Sequence, residues 1–253
     1  NDISDESLTA LVDTSTANVE IAQQWFKLKA EILGLDKLSV YDRKAPLVEI
    51  EMTYTYAQSC EIARATFAAI SPEIAELFDI AMAENWIESS PTDGQAECHY
   101  TVPSYHPLVM LNFDENGNGT LDDLMALVHE MGHGIHARLS SKQGVLHHEA
   151  AMTVMETASV HLEGLVLDNL IANSTGAEKL YLLGKKIDEQ VDCAFRQLSM
   201  HLFEDAAYKL YAEQGTLSVD NLNGLWIDSQ RAFYGDSVDF PPGFETWWCY
   251  IPQ

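Results

Sequence analysis

The stretch Leu121–Ser140, LDDLMALVHEMGHGIHARLS, places His129 and His133 four residues apart with Glu130 beside the first. Leu121, Leu124, Met125, Val128, Met131, Ile135 and Leu139 recur in three- and four-residue steps, which predicts a helix with one apolar stripe toward a core. Thr120 followed by Asp123 is a capping-box-like start, and the preceding NFDENGNG is turn chemistry, so the helix should begin near Leu121. Residues four apart on a helix project to the same face, and the two imidazoles can therefore converge on one ion. A catalytic zinc takes three protein ligands and keeps a fourth position for water, whose pKa it lowers to about 7. Glu130 is placed to accept that water's proton.

The third ligand must come from elsewhere. The metzincin pattern requires glycine at position 136 and histidine at 139, but those positions hold His136 and Leu139, so that class is excluded. The remaining common solution is a glutamate from a following helix. Residues 152–168, MTVMETASVHLEGLVLD, read as such a helix, largely apolar around Glu156. A carboxylate in that setting is costly unless something pairs with it, so Glu156 is the expected third ligand. His136 shares the angular face of His129 but lies two turns on, and is expected to support the ligands or to pack in the core. Glu163, seven residues after Glu156, either orients a ligating histidine or is a solvated surface carboxylate.

HEMGH at 129–133 followed by ETAS at 156–159 resembles the paired motifs of the thimet oligopeptidase (M3) family of zinc peptidases, and specifically its oligoendopeptidase F branch. LGLDKLSVYDRKAPL from Leu33, CHYTVPSYHPLVMLNF from Cys98 and FPPGFETWW from Phe240 are similar to the same branch, so the resemblance covers nearly the whole chain. It implies His129, His133 and Glu156 as ligands of one Zn2+, Glu130 as general base and acid, and Ser159 as part of the second motif. It also implies a mainly α, zincin-like catalytic domain of a two-lobed enzyme that cleaves short peptides in a deep channel.

Full-length members have a further N-terminal region that helps to wall the channel. They also continue past a stretch similar to residues 247–253 into a histidine and tyrosines that bind the developing oxyanion. Residues 1–253 are therefore expected to be a single, partial catalytic domain that binds zinc and hydrolyses peptides poorly alone; the alternative is a noncatalytic zinc-binding fragment. Tyr100, Tyr105, His106 and the pair His147 and His148 are the residues able to substitute as donors or to touch substrate.

Before the metal helix, residues 96–102 and 108–113 are two extended runs around a PSYHP turn. Such a hairpin either offers an edge for an extended peptide or is a covered structural element. Helices are expected over 14–33, 56–70, 72–89 and 219–234, with long helices over 164–214 broken near 173–176. LVEIEMTYTY, ending at Tyr56, is expected to be extended. Asp114, Asn116, Asn118, Gly119, Leu121 and Asp122 match an EF-hand loop, but the position of its bidentate glutamate holds Met125. An Asn/Gly turn is the better reading there than a Ca2+ site.

With 47% apolar residues the chain is globular, and 39 acidic against 14 basic residues give a net charge of −25. That charge argues against nucleic acid or anionic membrane as partners. It suits either a solvating acidic surface or attraction of cationic peptides. There is no apolar run of about 18 residues, and the start NDISDESLTALVD lacks the features of a signal peptide, so a cytoplasmic protein is expected. Cys60, Cys98, Cys193 and Cys249 are too scattered for a disulfide framework and are expected to be reduced. Oligomeric state has no sequence signal.

Overall fold

The computed structural model describes residues 3–114 and 116–251. Its backbone gathers into two compact units, one formed by Ile50–Lys179 and the other by Ile3–Glu49 with the chain from Leu180 onward. In chain order the elements begin with α1 (Asp5–Ala17), α2 (Glu20–Leu33), β1 (Leu38–Ser39), β2 (Thr53–Thr55), α3 (Tyr56–Ile70) and α4 (Pro72–Ala83). They continue with β3 (Ile87–Glu88), β4 (Glu97–His99), β5 (Leu108–Met110), β6 (Asn118–Thr120), α5 (Leu121–Ser140) and α6 (Met152–Asn173). The chain closes with α7 (Gly176–Val191), α8 (Gln197–Gln214), α9 (Val219–Tyr234) and β7 (Val238–Asp239).

In the unit of residues 50–179, α5 starts where its sequence requires. The Thr120 hydroxyl accepts from the Asp123 N–H while the Asp123 carboxylate accepts from the Thr120 N–H, a complete capping box. Leu121, Leu124, Leu127, Val128 and Met131 are buried, so the apolar stripe is the core face. β4 and β5 form the expected antiparallel hairpin with Cys98 opposite Val109. β3 joins β5 from the other side in parallel, which leaves β4 at the sheet edge. β2 and β6 make a separate antiparallel pair that leads into α3 and α5.

The stretch from Asp114 is a tight turn. The Asp114 carboxylate accepts from the backbone N–H groups of Asn116 and Asn118 and from the Asn118 side-chain amide, while the Thr120 and Asp123 side chains serve the helix cap.

The other unit is held by aromatic side chains of α2, α9 and the C-terminal 3-10 turn Phe244–Tyr250. Phe26 packs edge-on against Phe233 at 5.9 Å and Trp226 lies beside Phe244 at 5.9 Å. Lys29 is fully buried there; its Nζ donates to Asp188 Oδ2 and to the Arg43 carbonyl, each at 2.6 Å, and Trp25 Nε1 donates to Asp188 Oδ1.

Three element boundaries differ from the sequence expectation. The helix expected over 14–33 is two helices, because the Asn18 side chain donates back to the Thr14 carbonyl and ends α1. The helix expected over 72–89 stops at Ala83, since Asn85 takes a left-handed backbone (φ 56°) and turns the chain into β3. Of LVEIEMTYTY, only Thr53–Thr55 is strand. Residues 252 and 253, the end of the stretch compared with the family's C-terminal motif, lie outside the described residues.

Candidate metal centre

His129 and His133 project from α5 and Glu156 from α6, and their ligand atoms form a small triangle. His129 Nε2 lies 3.1 Å from His133 Nε2 and 3.1 Å from Glu156 Oε2, and His133 Nε2 lies 3.2 Å from the same oxygen. Ligands at about 2.0–2.1 Å around a tetrahedral zinc stand roughly 3.3 Å apart, so the triangle has the size that such an ion requires. This is the group of histidine and acidic side chains gathered closely enough to hold a metal among the described residues.

The approach of the two helices is set by Gly132. A Cβ at this position would fall 2.5 Å from the Ser159 Cα and 2.9 Å from the Ser159 N, so only glycine lets the α5 backbone come so close to α6. The crossing puts Glu156 one turn before Ser159, level with the histidine pair. The Ser159 hydroxyl, fully buried, lies 2.9 Å from Glu156 Oε2 and 3.0 Å from the Glu156 carbonyl, and so fixes the carboxylate's direction. The desolvation argument made for Glu156 from sequence does not hold: its side chain is 58% exposed, and Met152 and Val154 beside it also face solvent.

Of the two readings given for Glu163, the geometry bears on the first: its Oε1 bonds His129 Nδ1. A carboxylate only accepts, so in the neutral ring Nδ1 carries the proton and Nε2 presents its lone pair to the triangle. His133 Nε2, 3.2 Å from a Glu156 oxygen that can only accept, donates to it while it carries a proton and presents a second lone pair once that proton is replaced by a metal ion. Burial depresses the His129 pKa, but the Glu163 bond and the charges of Glu163, Glu130 and Glu156 outweigh it and the net shift is upward. His133 is shifted down, mainly by burial, with Glu156 opposing.

Glu130 is buried and its pKa is pushed up to about 6, first by burial and then by Glu156 and Glu163, against the pull of His129. It faces a cavity of about 340 Å³ lined by residues 96–100, His129, Glu130, His133, Glu149, Met155 and Glu156. The whole of edge strand β4 thus runs along this cavity. Tyr100 belongs to it: its ring centroid is 6.2 Å from that of His133 and its hydroxyl pairs with His136 Nδ1 at 3.3 Å. His136 consequently meets the ligands through Tyr100. Tyr105 and His106 are not among the cavity's lining residues; His106 is stacked between Trp86 and Tyr105, at 5.6 and 4.3 Å.

Several lining residues escaped the sequence reading. Glu97, Cys98 and Glu149 carry no motif, and only the period-two alternation of β4 hinted that Glu97 and His99 share a face. Burial raises the Cys98 thiol to about 12, with Glu130 adding to the shift. Of the pair read as possible donors or substrate contacts, His147 is exposed and His148 is buried.

A family model for peptidase family M3 matches residues 1–251. The chain belongs to peptidase family M3. It is 26% identical to the chromosomal oligoendopeptidase F of Lactococcus lactis subsp. cremoris over 255 residues, covering 100% of this chain and 42% of that protein. Oligopeptidase PepF of Bacillus subtilis is 25% identical over 258 residues, covering 100% of this chain and 38% of the relative. The chain thus spans about two fifths of the length of the curated relatives it matches. A crystal structure of a candidate peptidase from Chlamydophila abortus superposes with a TM-score of 0.84 at 26% identity, over 99% of this chain and 42% of that one. The oligoendopeptidase-F of Enterococcus faecium, at 19% identity and a TM-score of 0.64 over 99% of this chain and 37% of that one, shares the fold. The mainly helical architecture with a small sheet beside the histidine helix is accordingly that of the M3 peptidases. No helix among the described residues is long and apolar enough to cross a membrane.

Proposed function

We propose that this chain is the catalytic core of a zinc metalloendopeptidase acting on short peptides. His129 Nε2, His133 Nε2 and Glu156 Oε2 would hold one Zn2+, and the observation that carries the reading is their 3.1–3.2 Å triangle with Glu130 in the same cavity. An ion bound there supplies Lewis acidity, polarising the scissile carbonyl and acidifying the attacking water. Glu130, with its pKa near 6, accepts the water's proton and returns it to the leaving amine. Glu163 keeps His129 in the ligating tautomer, and Ser159 keeps the Glu156 oxygen aimed at the histidines.

Substrate enters this reading through β4, which lines the cavity and has no strand partner on its outer side among the described residues. An extended peptide can add to it as a further strand, with its carbonyl carried past the histidines. The free state of Cys60, Cys98, Cys193 and Cys249 fits a cytoplasmic setting. The test is hydrolysis of a quenched fluorescent peptide by the zinc-loaded chain, with Glu130→Gln as control. Loss of about 10² to 10⁴ in rate with zinc retained is expected. Zinc bound one to one with no turnover in either protein would support instead a zinc-binding module without catalysis.

A further inference from the structure

Thr101, the second residue after edge strand β4, has a left-handed backbone with φ 59°. A β-branched residue rarely adopts this region, and it persists only where surrounding contacts hold it. Two contacts do so. The Thr101 hydroxyl donates to the His106 carbonyl at 3.0 Å, and the Thr101 carbonyl lies 3.2 Å from His148 Nε2. His148 is 5% exposed, and its own carbonyl accepts from Ser140 Oγ at 2.5 Å, which ties the loop before α6 to the end of α5. A carbonyl can only accept, so Nε2 carries the proton and donates. Its Nδ1 is buried and has no hydrogen-bond partner in the described residues. The Nε2 bond to Thr101 is thus the hydrogen bond this buried ring makes among the described residues.

What the other nitrogen does is hold the link between β4 and the turn. Released from its left-handed state, Thr101 would let the chain continue extended, and Tyr100, which sits over His133 and bonds His136, would lose its direction into the cavity. We propose that His148 is a positioning residue for peptide binding: through the Thr101 carbonyl it sets edge strand β4 and Tyr100 along the cavity wall, without touching substrate. The inference rests on the peptidase reading above for its ligand, a short extended peptide, but makes its own demand on binding.

The experiment measures the equilibrium affinity of a fluorescein-labelled peptide for the zinc-loaded Glu130→Gln chain, alone and with His148→Ala, His148→Gln or Thr101→Gly. Zinc per chain and circular dichroism are recorded for each. His148→Ala should weaken peptide binding about tenfold, the factor carried by one lost buried hydrogen bond, with zinc content unchanged. His148→Gln, whose amide can donate to the same carbonyl, should restore binding to within about twofold of the parent. Thr101→Gly keeps that carbonyl but frees φ, and should weaken binding without loss of zinc or helix content. Parent-like binding by His148→Ala, failure of the Gln variant to restore affinity, or zinc loss in step with peptide loss would overturn the proposal. A parent that binds no peptide would defeat the peptide reading and this inference with it, whereas a binding parent indifferent to His148 defeats this inference alone.

Discussion

Each of the two units gathers a cluster of ionisable side chains, and the clusters are finished differently. In the aromatic unit the Lys29 ammonium sits between the Asp188 carboxylate and the Arg43 carbonyl, and Trp25 satisfies the second Asp188 oxygen. The Lys29 ammonium and both Asp188 oxygens thus have partners inside the protein, although Arg43 Nε and Trp226 Nε1 of the same unit are buried without one among the described residues. In the unit of α5 and α6, two imidazole nitrogens and a carboxylate oxygen converge with no lysine or arginine beside them, and the His133 Nδ1 is buried without a hydrogen-bond partner among the described residues. The ion pair completes itself, whereas the proposed metal site would be completed by an external ion. Burial tilts both clusters toward neutrality: it lowers Lys29 and raises Asp188 in the first, and raises Glu130 in the second.

The comparison breaks most decisively at the ligands. Glu156→Ala should abolish tight zinc binding measured by equilibrium dialysis, while Glu130→Gln keeps it, because only Glu156 has an oxygen in the triangle. Equal zinc loss in both would mean that the roles are misassigned. Next in size is the aromatic unit's pair. Lys29→Met should cost about 3–5 kcal/mol by leaving Asp188 buried and unpaired, and Lys29→Met with Asp188→Leu should recover most of it, as read by urea denaturation. The single variant also has a pH signature. The Asp188 pKa is already raised in the folded state, so stability tied to its protonation is present at acid pH and lost as pH rises through that pKa. The deficit of Lys29→Met should therefore shrink from pH 7 toward pH 4, and a deficit that grows on acidification would contradict the burial account.

Gly132→Ala sharpens the picture of the metal unit. Its Cβ would meet the Ser159 backbone at 2.5 Å, so about 1–3 kcal/mol of stability should be lost and zinc affinity should fall as Glu156 is pushed from the histidines. Gly164→Ala, on α6 where a Cβ would meet nothing within 4 Å, is the control and should gain up to about 1 kcal/mol. Equal thermal shifts for the two would remove the close crossing from the explanation. The smallest effect is chemical. With its thiol near pKa 12, Cys98 should resist iodoacetamide at pH 8 while the exposed Cys193 and Cys249 are alkylated, a contrast that peptide mass mapping resolves.

Helix α5 was legible to the residue because its capping box, apolar stripe and histidine pair are all encoded within twenty consecutive positions. The break at Asn18 and the early stop of α4 were not, since each depends on one side chain or one left-handed residue competing with an otherwise helical pattern. By itself, the sequence determined that His129 and His133 share one face of a helix, because i and i+4 spacing on a helix is a local geometric fact. Only the tertiary structure decided why Glu156 reaches them, through a backbone approach that Gly132 permits and no local rule can state. The same holds for β4 and His148. Whether a strand is an edge, and whether a loop histidine is buried against a carbonyl 47 positions earlier, depends on long-range packing, and a linear pattern holds no record of it.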